Sequence, residues 1–127
     1  MFGCGHVVCR DIEREAEQYY DYVHRQVADL AGAANVTGLS VQHSQSTDWS
    51  MDERKILEGM IAGFWAVPIV GTPEQVVQKI IDMHHAGADG VALSWVNFDE
   101  GLEQMEAQIL PMLVQAGLRR PALGVGD

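Results

Sequence analysis

Five residues have types suited to holding or converting a small ligand: Arg10, His43, Ser94, Trp95 and Asn97. A guanidinium such as that of Arg10 can meet an anionic substrate or a phosphate; its plainer use is a surface salt bridge to Asp11 or Glu13. Ser94 and Asn97 can hydrogen-bond a ligand, or be satisfied locally by backbone and as a turn residue. Trp95 can wall off a substrate or serve as core. His43 stands in a long polar stretch, where it can reach a closing site as a lid residue or remain solvated. His84 and His85 are adjacent late in a helix, so their rings point apart and suit the helix dipole better than a metal. Cys4 and Cys9 would lie on opposite faces of a strand, which argues against a disulfide and for buried thiols. Neither has histidines at zinc-ligand spacing. No Ser-His-Asp order and no phosphate loop is visible.

Composition narrows the classes. The chain has 127 residues, enough for one domain, 1–127, around one core. Its formal net charge is −10, which disfavours binding to nucleic-acid phosphates. The acidic residues are spread over helices and read as a solvated surface. No apolar run approaches the roughly 18 residues of a membrane span, and the first residues lack a signal-peptide pattern, so a cytoplasmic protein without membrane contact is expected.

The elements that would position these residues alternate. Gly5-His6-Val7-Val8-Cys9 reads as a first strand. Asp11 is the expected N-cap of a helix whose apolar stripe is Ile12, Ala16, Tyr19, Tyr20, Val23, Val27 and Leu30. Residues 33–36 read as a helical remnant and 37–49 as a long loop, a lid or insertion. Ser50 and Glu53 form a capping box for a helix over about 51–62, with Ile56, Leu57, Met60 and Ile61 on its apolar face. Residues 63–68 are irregular but apolar, which calls for a partner or ligand. A short strand at 69–71 precedes a helix with Thr72 at its cap, Pro73 at N1, Gln75 at N3 and Gly87 as its stop. The uncharged strand 91–95 suggests burial on both faces. A last helix carries Leu102, Met105, Ile109, Leu110 and Leu113, kinks at Pro111 and stops at Gly117. Residues 119–127 read as a frayed tail. This alternation predicts an α/β fold with about three parallel strands and flanking helices.

Four ordered stretches resemble bacterial luciferase-like flavin-dependent monooxygenases, nearest in flavour to the alkanesulfonate or sulfone monooxygenase type. Gly5-His6-Val7-Val8-Cys9-Arg10-Asp11 with Tyr19-Tyr20 resembles the sixth strand and helix. Val70-Gly71-Thr72-Pro73-Glu74-Gln75-Val76 is similar to the start of the penultimate helix. Residues 86–98 resemble the last barrel strand, and Ile109-Leu110-Pro111-Met112-Leu113 with Gly117-Leu118-Arg119 the final helix. The resemblance implies the C-terminal segment of a (β/α)8 barrel that uses reduced FMN, or a deazaflavin, with oxygen on a small organic substrate, and no metal. It implies a site at the carboxyl ends of the strands, near Cys9, Arg10 and Asp11 and near Ser94, Trp95 and Asn97. It also implies partners: the missing N-terminal barrel portion or further copies of the chain, and a flavin reductase. The alternative is a stand-alone α/β module that self-associates through an unpaired sheet edge and binds no flavin.

Overall fold

Strand β1, Phe2–Cys9, is the middle of a three-stranded parallel sheet ordered β2-β1-β3, where β2 is Val67–Gly71 and β3 is Gly90–Trp95. The computed structural model describes residues 1–42 and 53–121. The expected α/β architecture of three parallel strands with flanking helices is thus met. The strands do not lie side by side in chain order, however: β3 crosses to the far edge of β1. Its register pairs His6 with Ser94 and Val7 with Trp95, while β2 pairs His6 with Pro68 and Val7 with Ile69.

Alternation along the strands sorts the side chains. Val7, Cys9 and Ile69 share one face and pack against Val76, Val77 and Ile80 of helix α4 (Pro73–His85) and against Ile109 and Leu113. This is the core. The other face carries His6, which meets His24 of the segment that follows helix α1 (Glu13–Asp21). Helices therefore cover both faces. β3 is an edge strand and only half-buried, with Ala92 exposed, so burial on both its faces is not realised.

Helix α4 ends as its sequence requires. Thr72 and Gln75 form a reciprocal capping box, and Gly87 adopts φ +106° at C′ while the Ala88 N–H bonds Met83 O at 3.1 Å. The first helix departs from expectation. Ile12, not Asp11, is its N-cap, without a side-chain cap bond. After Asp21 the chain makes a π turn, Tyr22–Gln26, closed by the Val27 N–H on Tyr22 O at 3.0 Å. The wider turn shifts the face that meets the sheet. Ala16 and His24 are buried, whereas Ile12, Val27 and Leu30 from the expected stripe are exposed.

The stretch read as a remnant and a loop is helix α2, Leu30–Gln42. Asp29 Oδ1 accepts from the Gly32 N–H at 2.8 Å, as an N-cap does, and the alanines that follow favour the helix over the scattered Gly, Asn and Thr. The loop expected at 37–49 is therefore helical as far as Gln42, and its remainder lies outside the described residues, as does Ser50 of the capping box. Helix α3, Glu53–Ile61, follows and buries Ile56 and Met60. Gly63, Phe64 and Trp65 then take positive φ in succession, 75°, 58° and 66°. The two aromatics are strained there, and Phe64 is 72% exposed.

The last helical run is α5, Phe98–Gln104, a π turn at Met105–Ile109, and α6, Leu110–Gln115. Pro111 has no N–H to donate; it stands in the first turn of α6, just after this π turn. Ile109 is wholly buried and Leu102 is 55% exposed, so Leu102 is not part of the core. Ile109→Ala should lower stability by about 2–5 kcal/mol and Leu102→Ala by less than about 0.5 kcal/mol, read from urea unfolding midpoints.

Candidate functional site

The chain leaves β1 toward β2 on one side, while β3 lies on the other, so the winding direction reverses between β1 and β3. In open α/β sheets such a reversal marks the crevice where ligands bind, outside the carboxyl ends of the strands. Arg10, Trp95 and Asn97 all line this place, with Tyr19, Glu100 and Gly101. Three of the five residues predicted from sequence are thus brought together.

Arg10 is held from several directions. Its Nη1 donates to Cys9 O at 2.9 Å, its Nη2 lies 3.7 Å from Glu100 Oε2, and its Cζ stands 4.2 Å from the centre of the Tyr19 ring. The acid that meets it is Glu100, across the crevice, rather than the expected Asp11 or Glu13. The pair is largely solvent-facing and contributes little energy, but with the cation–π contact it fixes the guanidinium. Asn97 caps α5, its Oδ1 accepting from the Asp99 N–H at 3.1 Å and the Glu100 N–H at 3.5 Å. Trp95 lies against Gly101, where an added Cβ would come 2.3 Å from Trp95 Cγ, and meets Phe98 edge-on at 5.8 Å. Its Nε1 is buried with no acceptor among the described residues. The crevice itself encloses about 20 Å³, room for a water molecule. A larger open groove of about 640 Å³ lies at the amino end of β3, lined by Phe2, Leu93, Leu110 and Leu118, away from these groups.

Ser94 does not join the crevice. It points to the opposite face, where His6, missed by sequence reasoning, awaits it. Ser94 Oγ lies 2.9 Å from His6 Nδ1, His6 Nε2 lies 3.1 Å from His24 Nε2, and His24 Nδ1 lies 3.0 Å from Tyr20 O. The carbonyl can only accept, so His24 carries its proton on Nδ1 and its Nε2 accepts. His6 must then donate from Nε2, and Ser94 donates its hydroxyl proton to His6 Nδ1. Both rings are buried, at 5% and 3% exposure. Burial, followed by the charge of His24, pushes the His6 pKa down; burial likewise lowers that of His24 against the opposing pull of the Tyr20 carbonyl. A histidine inside an apolar strand was the one visible hint. Its partner is brought to it by a π turn that no periodicity announces.

His43 lies outside the described residues. His84 donates from Nδ1 to Ala88 O at 3.2 Å, a helix-end contact. Both cysteines are free; Cys9 is buried as expected but Cys4 is exposed. Burial first, then Asp11, raises the Cys9 thiol to about 11, which makes it inert. Among the described residues no group of three or more His, Cys, Asp or Glu is placed to hold a metal, and no helix is long and apolar enough to cross a membrane.

No family model matches the chain. It is 26% identical over 112 residues to an FMNH2-dependent dimethylsulfone monooxygenase of Pseudomonas fluorescens (strain Pf0-1), a match covering 84% of this chain and 30% of that enzyme. The fold is shared with a flavin-bound enzyme. The crystal structure of riboflavin lyase with modified FMN and riboflavin superimposes with a TM-score of 0.63 at 23% identity, over 91% of this chain and 31% of that one. The chain therefore spans about 30% of the length of the curated relative it matches.

Two outcomes are expected. Gly101→Ala should force α5 off Trp95, lowering stability by about 1–3 kcal/mol and shifting tryptophan fluorescence. Stability should also fall with acid. Folding keeps His6 and His24 neutral, so their contribution is complete above the unfolded histidine pKa of about 6.5 and is lost as pH drops below it, by about 1.4 kcal/mol per pH unit for each proton. Asp21, held low by Gln26 and Arg25, acts only near the lower carboxylate range. Urea midpoints at pH 7.5, 6.5 and 5.5 separate the two windows, and equal midpoints would contradict the histidine assignment.

Proposed function

We propose that this chain is the C-terminal part of a luciferase-like flavin-dependent monooxygenase that oxidises a small organic substrate with reduced flavin and oxygen. The observation that carries the reading is its similarity, over most of its length, to the dimethylsulfone monooxygenase. The fold shared with riboflavin lyase supports it, as does the meeting of Arg10 and Trp95 at the carboxyl ends of two parallel strands. Within a whole enzyme Arg10 would meet an anionic group of flavin or substrate. Trp95 would wall off the ring, with Asn97 as a polar contact and His43 as a lid residue. FMN is the favoured cofactor, with a deazaflavin as the alternative. A flavin reductase would supply its electrons.

The crevice at the strand ends, about 20 Å³, is too small for an isoalloxazine ring, so Arg10, Trp95 and Asn97 do not enclose the cofactor by themselves. The pocket would be completed by the missing N-terminal portion of the barrel or by another copy of the chain. The outer edges of β2 and β3, unpaired among the described residues, favour such an association. They equally suit the second reading, a self-associating α/β module without flavin.

Titration with oxidised and reduced FMN tests the first reading. The chain is taken alone, and then co-expressed with the portion of the dimethylsulfone monooxygenase outside the matched segment. Saturable binding is expected only in the second arm, weakened about tenfold by Arg10→Ala. Binding in neither arm sinks the proposal, and a monomer by sedimentation of the chain alone counts against the module.

A further inference from the structure

We infer that His6 and His24 form a store for one proton, reached through Ser94, and that a second proton drives the two rings apart and releases the π turn from the sheet. The inference rests on hydrogen-bond geometry and is independent of the flavin reading. In the neutral pair each contact has one donor: Ser94 Oγ–H to His6 Nδ1, His6 Nε2–H to His24 Nε2, and His24 Nδ1–H to Tyr20 O, over 2.9, 3.1 and 3.0 Å. One added proton fits at His6 Nδ1. The Ser94 hydroxyl rotates and accepts from it, and the other two bonds are untouched. Ser94 and Tyr20, at the two ends of the chain, are half-buried while both rings are buried. The Tyr20 carbonyl only accepts, so the Ser94 hydroxyl, which both donates and accepts, is the end through which a proton passes.

A second proton has one position left, His24 Nε2. Two N–H groups would then face each other across 3.1 Å on two cationic rings, with no acceptor between them. His6 cannot yield. It sits on the central strand, paired in register with Pro68 on one side and Ser94 on the other. His24 belongs to the five-residue π turn Tyr22–Gln26, which is the part able to move.

Among the described residues, the hydrogen bonds of the two rings run to Ser94, to each other and to Tyr20 O, and none of these partners is a carboxylate. Facing His6 are Ser94, His24 and Gly63, at which an added Cβ would stand 3.0 Å from the ring. Facing His24 is the Tyr20 ring, stacked at 4.3 Å. The nearby charged groups turn to each other: Arg25 meets Asp21 at 3.0 Å and Glu58 at 3.9 Å, and Arg25 and Glu58 act on Tyr20.

Histidine-ring ¹⁵N NMR of the full chain, titrated from pH 8 to pH 4.5, tests this. At pH 8 the rings should show opposite tautomers, His6 protonated on Nε2 and His24 on Nδ1. The first proton should move both ring signals in one shared step and leave the amides of residues 22–26 in place; the second should displace those amides. In His24→Gln a carbonyl oxygen replaces the second base, so release should shift to lower pH by about one unit or more. Identical tautomers at pH 8, two independent steps without displacement of those amides, or release at an unchanged pH in His24→Gln would each overturn the inference. Should that variant fail to fold, the tautomers and step count of the unaltered chain decide it alone.

Discussion

Both edges of β1 face protein, and that constraint organises the rest. Gly5 to Cys9 are in register with Val67 to Gly71 on one side, and Phe2 to Val7 with Gly90 to Trp95 on the other. A strand paired twice over must also bury both its faces, since parallel strands are stable when helices cover them. Val7 and Cys9 take the apolar cover supplied by α4 and Ile109; His6 and Val8 take the other face, to which the π turn brings His24. The crevice and the histidine chain are therefore two products of one strand, one at its carboxyl end and one on its face.

Much of this was legible where local chemistry alone decides the structure. Thr72, Pro73, Gln75 and Gly87 mark both ends of α4 because caps and left-handed glycines depend on neighbours within a few residues. The meeting of Arg10, Trp95 and Asn97 was legible because parallel strands bring their carboxyl ends to one end of the sheet. The apolar stripe from Ile12 to Leu30 misled for a physical reason. Periodicity assumes a constant turn, and a single π turn at Tyr22–Gln26 resets the face. The His6–His24 contact was illegible because two residues 18 positions apart meet only through that reset.

Ser94 illustrates how a residue type outlives the role first given to it. Its hydroxyl was a candidate ligand contact beside Trp95, but neighbouring strand residues point to opposite faces. Trp95 therefore serves the crevice and Ser94 the histidines. Alternation, usually invoked for burial, here divides two polar tasks between two adjacent positions. The exposed edge β3 carries both, so whatever pairs with that edge in a longer protein or an assembly would lie beside both.

The two cysteines give the chain a built-in probe of its own breathing. Cys4 is exposed on the strand that holds His6, whereas Cys9 is 2% exposed in the core with its thiol raised to about 11. A thiol reagent should therefore tag Cys4 directly and reach Cys9 only when α4 lifts from the sheet. The ratio of the two rates measures the opening of the core in the unaltered protein, with Cys4 as an internal standard for the reagent.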